Sequence, residues 1–175
     1  MPWIRSLAAG LATSLIVATS TLAAGGLPGG ASSLTESYGD WAVACTTADE
    51  GAAKVACAIS QQQATQQGER FLSIELHLDA DSAQGILILP FGLNVGAGVR
   101  FQVDDGAPTE GPFRTCLPVG CVVELRLDAA TLDAFRAGKA FNVVAQADKG
   151  GDATFAISLK GVADALARTL VLQSN

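Results

Sequence analysis

Histidine is almost missing from this chain. His77 is the only one among 175 residues, so paired-histidine zinc motifs are excluded and any histidine base must be that residue. Aromatic residues make up 6% and are dispersed, leaving no platform on which nucleobases could stack. Charged residues are also sparse, at 16%, and the formal net charge is −6. No Lys/Arg cluster offsets that acidity, which argues against nucleic acid and anionic membranes as partners. Several chemical motifs are absent: a Cys-x-x-Cys pair, a Gly-x-Ser-x-Gly elbow, a phosphate loop and an Asn-x-Ser/Thr sequon. Gly96-Ala97-Gly98 lacks the third glycine of a dinucleotide fingerprint.

What the chain does have begins at its N-terminus. Arg5 is the only charged residue before Glu36, and Ser6 to Ala24 is a run of apolar and small residues. It ends in Thr21-Leu22-Ala23-Ala24-Gly25, with small residues on both sides of a cut after Ala23 or Ala24. This is the layout of a secretory signal peptide, predicted over residues 1–24. An uncleaved anchor fits less well, because Thr13, Ser14, Thr19 and Ser20 interrupt the run and no basic stop signal follows. After cleavage no transmembrane segment is expected. Residues 25–37, rich in Gly and Ser, are predicted to be a flexible leader, and residues 38–172 a single domain.

The four cysteines, Cys45, Cys57, Cys116 and Cys121, all follow the predicted cleavage site. An even count in an exported chain indicates a disulfide framework. Three pairings are possible; Cys45–Cys57 and Cys116–Cys121 are chosen because each is local and brackets a turn. The spacing does not match paired zinc knuckles.

Tyr38 to Cys45 and Val55 to Ser60 alternate and fit an antiparallel hairpin around Gly51. That register sets Cys45 opposite Cys57 and Val43 opposite Ile59, with Trp41 on the same face. Gln61 to Glu69 is predicted to be a polar connector. Further strands are expected over 70–79, 85–90, 99–103, 121–127, 141–147 and 154–159. Asp128 is a suitable N-cap for a short helix over 129–137, and Val162, Leu166 and Leu170 have helical spacing. Many short strands, Gly/Pro turns and two short helices predict an all-β fold, a β-sandwich with peripheral helices.

Candidate chemistry is thin. Ser73, Glu75 and His77 share one strand face, but same-face neighbours are roughly 6.6 Å apart along a strand, too far for a triad. Asp104-Asp105-Gly106 offers two carboxylates where Ca²⁺ needs about six to eight oxygens, so a turn is expected. Asp79 and Asp81 fit a charged strand end. No catalytic, cofactor-binding or metal-binding residue is assigned, and no cofactor is expected.

The landmarks in order resemble the invasion-associated locus B family of exported bacterial proteins. They are Tyr38-Gly39-Asp40-Trp41 with Cys45, Cys57 with Ile59-Ser60-Gln61, and Leu89-Pro90 with Gly92. Pro112-Phe113, Cys116 and Gly120-Cys121 follow, then Ser158-Leu159-Lys160-Gly161 and Ala165-Leu166. The resemblance spans residues 38–170; Val162 stands where the family often has an aromatic. It implies an immunoglobulin-like sandwich, residence in the periplasm or at the outer surface, and no enzymatic activity. The function expected is therefore a binding module with an unknown protein or envelope partner, in host-cell invasion or envelope integrity. A periplasmic hydrolase is the alternative.

Overall fold

The computed structural model describes residues 26–47 and 54–174. The predicted signal peptide and the hairpin turn at Gly51 lie outside the described residues. Among these residues eleven strands and two α-helices follow one another. In chain order they are β1 (Ser33–Tyr38), β2 (Trp41–Thr47), β3 (Val55–Ala64), β4 (Arg70–Leu78), β5 (Ala83–Leu89), β6 (Val99–Val103) and β7 (Thr109–Gly111). Then come β8 (Phe113–Leu117), β9 (Gly120–Leu127), α1 (Ala129–Ala137), β10 (Ala140–Gln146), β11 (Asp152–Ser158) and α2 (Val162–Gln173).

The strands form two antiparallel sheets. One has seven strands in the order β1-β2-β3-β4-β5-β9-β8, the other four in the order β11-β10-β6-β7. Alternation decides which side chains face inward. Val43, Cys45, Cys57, Ile59, Ile74, Leu76, Leu87 and Val123 are buried on the large sheet, and Val99, Phe101, Phe141 and Val143 on the small one. All belong to one hydrophobic cluster, the sandwich core. Four strands cannot cover seven. Helix α2 supplies the missing cover: it packs against β2 and β3, with Val162, Ala165, Leu166 and Leu172 turned inward. Trp41 sits at the join between α2 and β11, 1% exposed.

The register of β2 with β3 is the expected one: Val43 opposite Ile59, Cys45 opposite Cys57. Both local disulfides, Cys45–Cys57 and Cys116–Cys121, are present. Asp128 caps α1 by accepting from Thr131 N at 2.9 Å.

Two expectations are corrected. Most of the stretch expected as flexible leader is ordered: Leu27 is buried, and Ser33–Tyr38 form strand β1. The apolar residues that order it, Leu27, Ala31, Leu34 and Tyr38, find partners only in the folded core. The polar connector is likewise shorter than expected, because Gln61, Gln62, Gln63 and Ala64 belong to β3. The side-chain amides of Gln61 and Gln63 donate to Ser158 O and Ala156 O, each at 2.8 Å. Those bonds satisfy glutamines that would otherwise disfavour the interface with β11.

Candidate interaction surface

The candidate catalytic residues Ser73, Glu75 and His77 are not gathered into a site. Glu75 and His77 lie on the outer face of β4, with His77 Nε2 3.2 Å from Glu75 Oε1 and side chains 51% and 62% exposed. Ser73 is one step further along the same strand and one row away in register, so the three stay in line. Asp104 has a structural task. Its backbone is left-handed at φ 48°, and its carboxylate accepts from Lys139 N and Ala140 N, with Ala140 N 2.9 Å away. That caps the start of β10. Asp79 bonds through its backbone N–H to Ser82 O, closing the β4–β5 turn. Among the described residues no three His, Cys, Asp or Glu side chains are placed to hold a metal ion. A broad depression on the small sheet includes Arg100, Glu110 and Asp152, but Arg100 is already paired with Asp152 at 3.2 Å.

The family landmarks at the two ends of the domain meet in space. Trp41 Nε1 donates to Ser158 O at 2.9 Å, the carbonyl that also accepts from Gln61. Asp40 N donates to Lys160 O at 3.0 Å. Above them, Arg168 of α2 grips Glu36 of β1 with two bonds of 2.8 Å, and Tyr38 Oη donates to the same carboxylate at 2.7 Å. These bonds hold the Glu36 carboxyl well below its ordinary range, at about 2, against the opposing effect of desolvation. This cluster fastens β1 and α2 to the sandwich; it exposes no reactive group.

Another part of the molecule presents apolar surface. Of the six exposed large apolar residues among those described, four lie in the β5–β6 loop, at the end of β8 or in the β8–β9 turn: Phe91, Val95, Leu117 and Val119. Register brings these segments together, since Leu89 pairs with Cys121 and Leu117 with Gly120. Both are firmly held. Gly120 has φ +133°, and a Cβ there would lie 2.5 Å from Leu89 O, so the turn rests directly on β5. Cys116–Cys121 closes the turn covalently. The other loop is tied to β10: Asn94 N donates to Gln146 O, and Asn94 Nδ2 to Gln146 Oε1, both at 2.8 Å. The side chains therefore project from a rigid end, with little ordering entropy left to lose on binding. No sequence expectation covers this surface; its signals in the chain are Phe91 after Leu89-Pro90 and Val119 between Cys116 and Cys121.

The model of the invasion associated locus B protein family matches residues 41–170, most of the chain and the whole span from Trp41 to α2. The chain belongs to that family. It is 38% identical over 169 residues to an invasion protein B homolog of Brucella abortus (strain 2308), covering 94% of this chain and 96% of that protein. Invasion protein B of Bartonella bacilliformis is 37% identical over 152 residues, covering 84% and 80% respectively. The crystal structure of invasion associated protein b from Bartonella henselae superposes with a TM-score of 0.74 at 32% identity, covering 81% of this chain and 97% of that one. The family resemblance and the sandwich predicted from the sequence thus hold. The members named here carry the name of an invasion protein, not of an enzyme class.

Proposed function

We propose that this invasion-associated locus B protein is an exported, non-enzymatic binding module of the bacterial envelope. The observation that carries this reading is the rigid apolar end bearing Phe91, Val95, Leu117 and Val119. Exposed apolar side chains on firmly held loops, two of them on a covalently closed turn, are a feature of protein–protein contact surfaces. Two disulfides support a location outside the reducing cytosol, periplasmic or at the outer surface. Among the described residues no helix is long and apolar enough to cross a membrane. The partner is a protein of the envelope or of a host cell; the names of the relatives favour a role in invasion, and envelope integrity is the second setting. The domain is proposed to function as one unit after removal of residues 1–24.

The test is site-specific photo-crosslinking in the native envelope from Val119 and, as control, from Glu75 on the outer sheet face. A reproducible adduct from Val119, lost in the Phe91→Ser/Leu117→Ser variant with an unchanged melting temperature, supports the reading. An adduct pattern equal at both positions, or none at Val119, rejects it.

A further inference from the structure

Two sheets have four edge strands, and three of them are blocked against pairing with another chain. β8 carries a register shift between Phe113 and Thr115, and Pro112 and Pro118 flank it. β7 is three residues long and lies between Pro108 and Pro112. On β11, Leu159 N bonds Lys139 O and Ala147 N bonds Gly151 O, so the even-numbered residues point away from β10. Their carbonyls at Ala156 and Ser158 already accept from Gln63, Gln61 and Trp41.

β1 has none of these protections. Its six residues, Ser33-Leu-Thr-Glu-Ser-Tyr38, contain no proline, lysine or arginine, and its pairing with β2 runs without a shift. The bond from Thr47 N to Ser32 O sets the parity: even-numbered residues exchange bonds with β2, and Ser33, Thr35 and Ser37 direct their N–H and C=O groups outward. All three residues are exposed, and no described backbone group bonds them.

We propose that this edge pairs antiparallel with β1 of a second copy of the chain, about a two-fold axis at Thr35. Thr35 then faces its own copy and Ser33 faces Ser37, so the outward groups bond reciprocally and the facing side chains are small hydroxyls. Charge on this edge does not oppose a second copy, although the net charge is −6. The row Ser33, Thr35, Ser37 is neutral, and the one acid on the strand, Glu36, is neutralised by Arg168. β1 and β8 are opposite edges of the large sheet, so the pairing leaves the apolar end free and doubles it. It neither requires the proposed binding function nor fails with it.

The experiment is sedimentation equilibrium of the purified protein without residues 1–24 over a wide concentration range. The expected result is a concentration-dependent dimer. Thr35→Pro removes an outward N–H that β2 does not use, so it should be monomeric with an unchanged melting temperature. Thr35→Lys should weaken association about fivefold or more by placing like charges face to face, and an equimolar mixture with Thr35→Glu should restore the dimer. A monomer at every concentration overturns the proposal. So does a dimer that Thr35→Pro and Thr35→Lys leave intact, or a Lys/Glu mixture no more associated than Thr35→Lys alone.

Discussion

Gly39 and Gly161, far apart in the chain, lie backbone against backbone. Both have left-handed φ, +58° and +86°, and a Cβ on Gly39 would sit 2.5 Å from Lys160 O. A Cβ on Gly161 would overlap Tyr38 O. Asp40 N donating to Lys160 O fixes the contact, so the β1–β2 turn and the start of α2 are joined with no room for a side chain.

Alanine at either glycine should therefore cost more than the backbone conformation alone. Gly150 is the control, with φ +92° and open space where its Cβ would go. Gly150→Ala should lose about 1–2 kcal/mol in urea unfolding from the left-handed backbone. Gly39→Ala and Gly161→Ala should each lose roughly 1–3 kcal/mol more, as the overlapping backbones are forced apart. Equal losses at all three sites would mean the contact is unimportant.

Ser158 O accepts from both Trp41 and Gln61, which makes the two donors partly redundant. Trp41→Phe and Gln61→Met each leave the carbonyl one partner. Together they leave it none, in a region where Gln61 is only 6% exposed. A double-mutant cycle should show the double variant less stable than the sum of the singles by about 1 kcal/mol or more.

The Glu36–Arg168 pair predicts an acid limb of stability. The Glu36 carboxyl is depressed from an ordinary 4.5 to about 2 by the Arg168 and Tyr38 hydrogen bonds. A depressed carboxyl contributes stability that is present above its unfolded value and lost as pH falls through the folded one. The denaturation midpoint should accordingly drop between about pH 4.5 and about pH 2. Glu36→Gln should flatten that limb and lower stability at neutral pH. A parallel acid limb in both proteins would assign it to other carboxylates.

The two disulfides should differ in access and in weight. Cys45 and Cys57 are 1% and 2% exposed, whereas Cys116 lies exposed on β8. Limited reduction of the native protein followed by alkylation and mass mapping should label Cys116 and Cys121 first. With separations of 12 and 5 residues, loop closure assigns about 2.8 kcal/mol to Cys45–Cys57 and about 2 kcal/mol to Cys116–Cys121. Paired Cys→Ala variants should rank in that order.

Legibility followed the range of the interactions. The alternation of Leu72, Ile74, Leu76 and Leu78 identified β4, because a strand half-buried on one face writes its period into adjacent residues. The β2–β3 register was equally visible, since two cysteines and a valine–isoleucine pair agree on it. Gln61 and Gln63 misled because their polarity is satisfied by β11, nearly a hundred residues away. Ser33–Tyr38 misled for the same reason: its order depends on α2 at the other end of the chain. The apolar surface was invisible, because the β5–β6 loop and the β8–β9 turn come side by side only through the pairing of Leu89 with Cys121.

The sequence by itself determined the strand periods, the local disulfide pairing and the family, all of which depend on residues close together or on the order of landmarks. The tertiary structure alone decided which landmarks touch. Gly39 against Gly161, Trp41 against Ser158 and Glu36 against Arg168 are contacts between the two ends of the domain, and the unprotected edge of β1 follows from where those contacts place it. Long-range pairing of this kind depends on how sheets and helix divide one apolar core, and no local window of the chain carries that information.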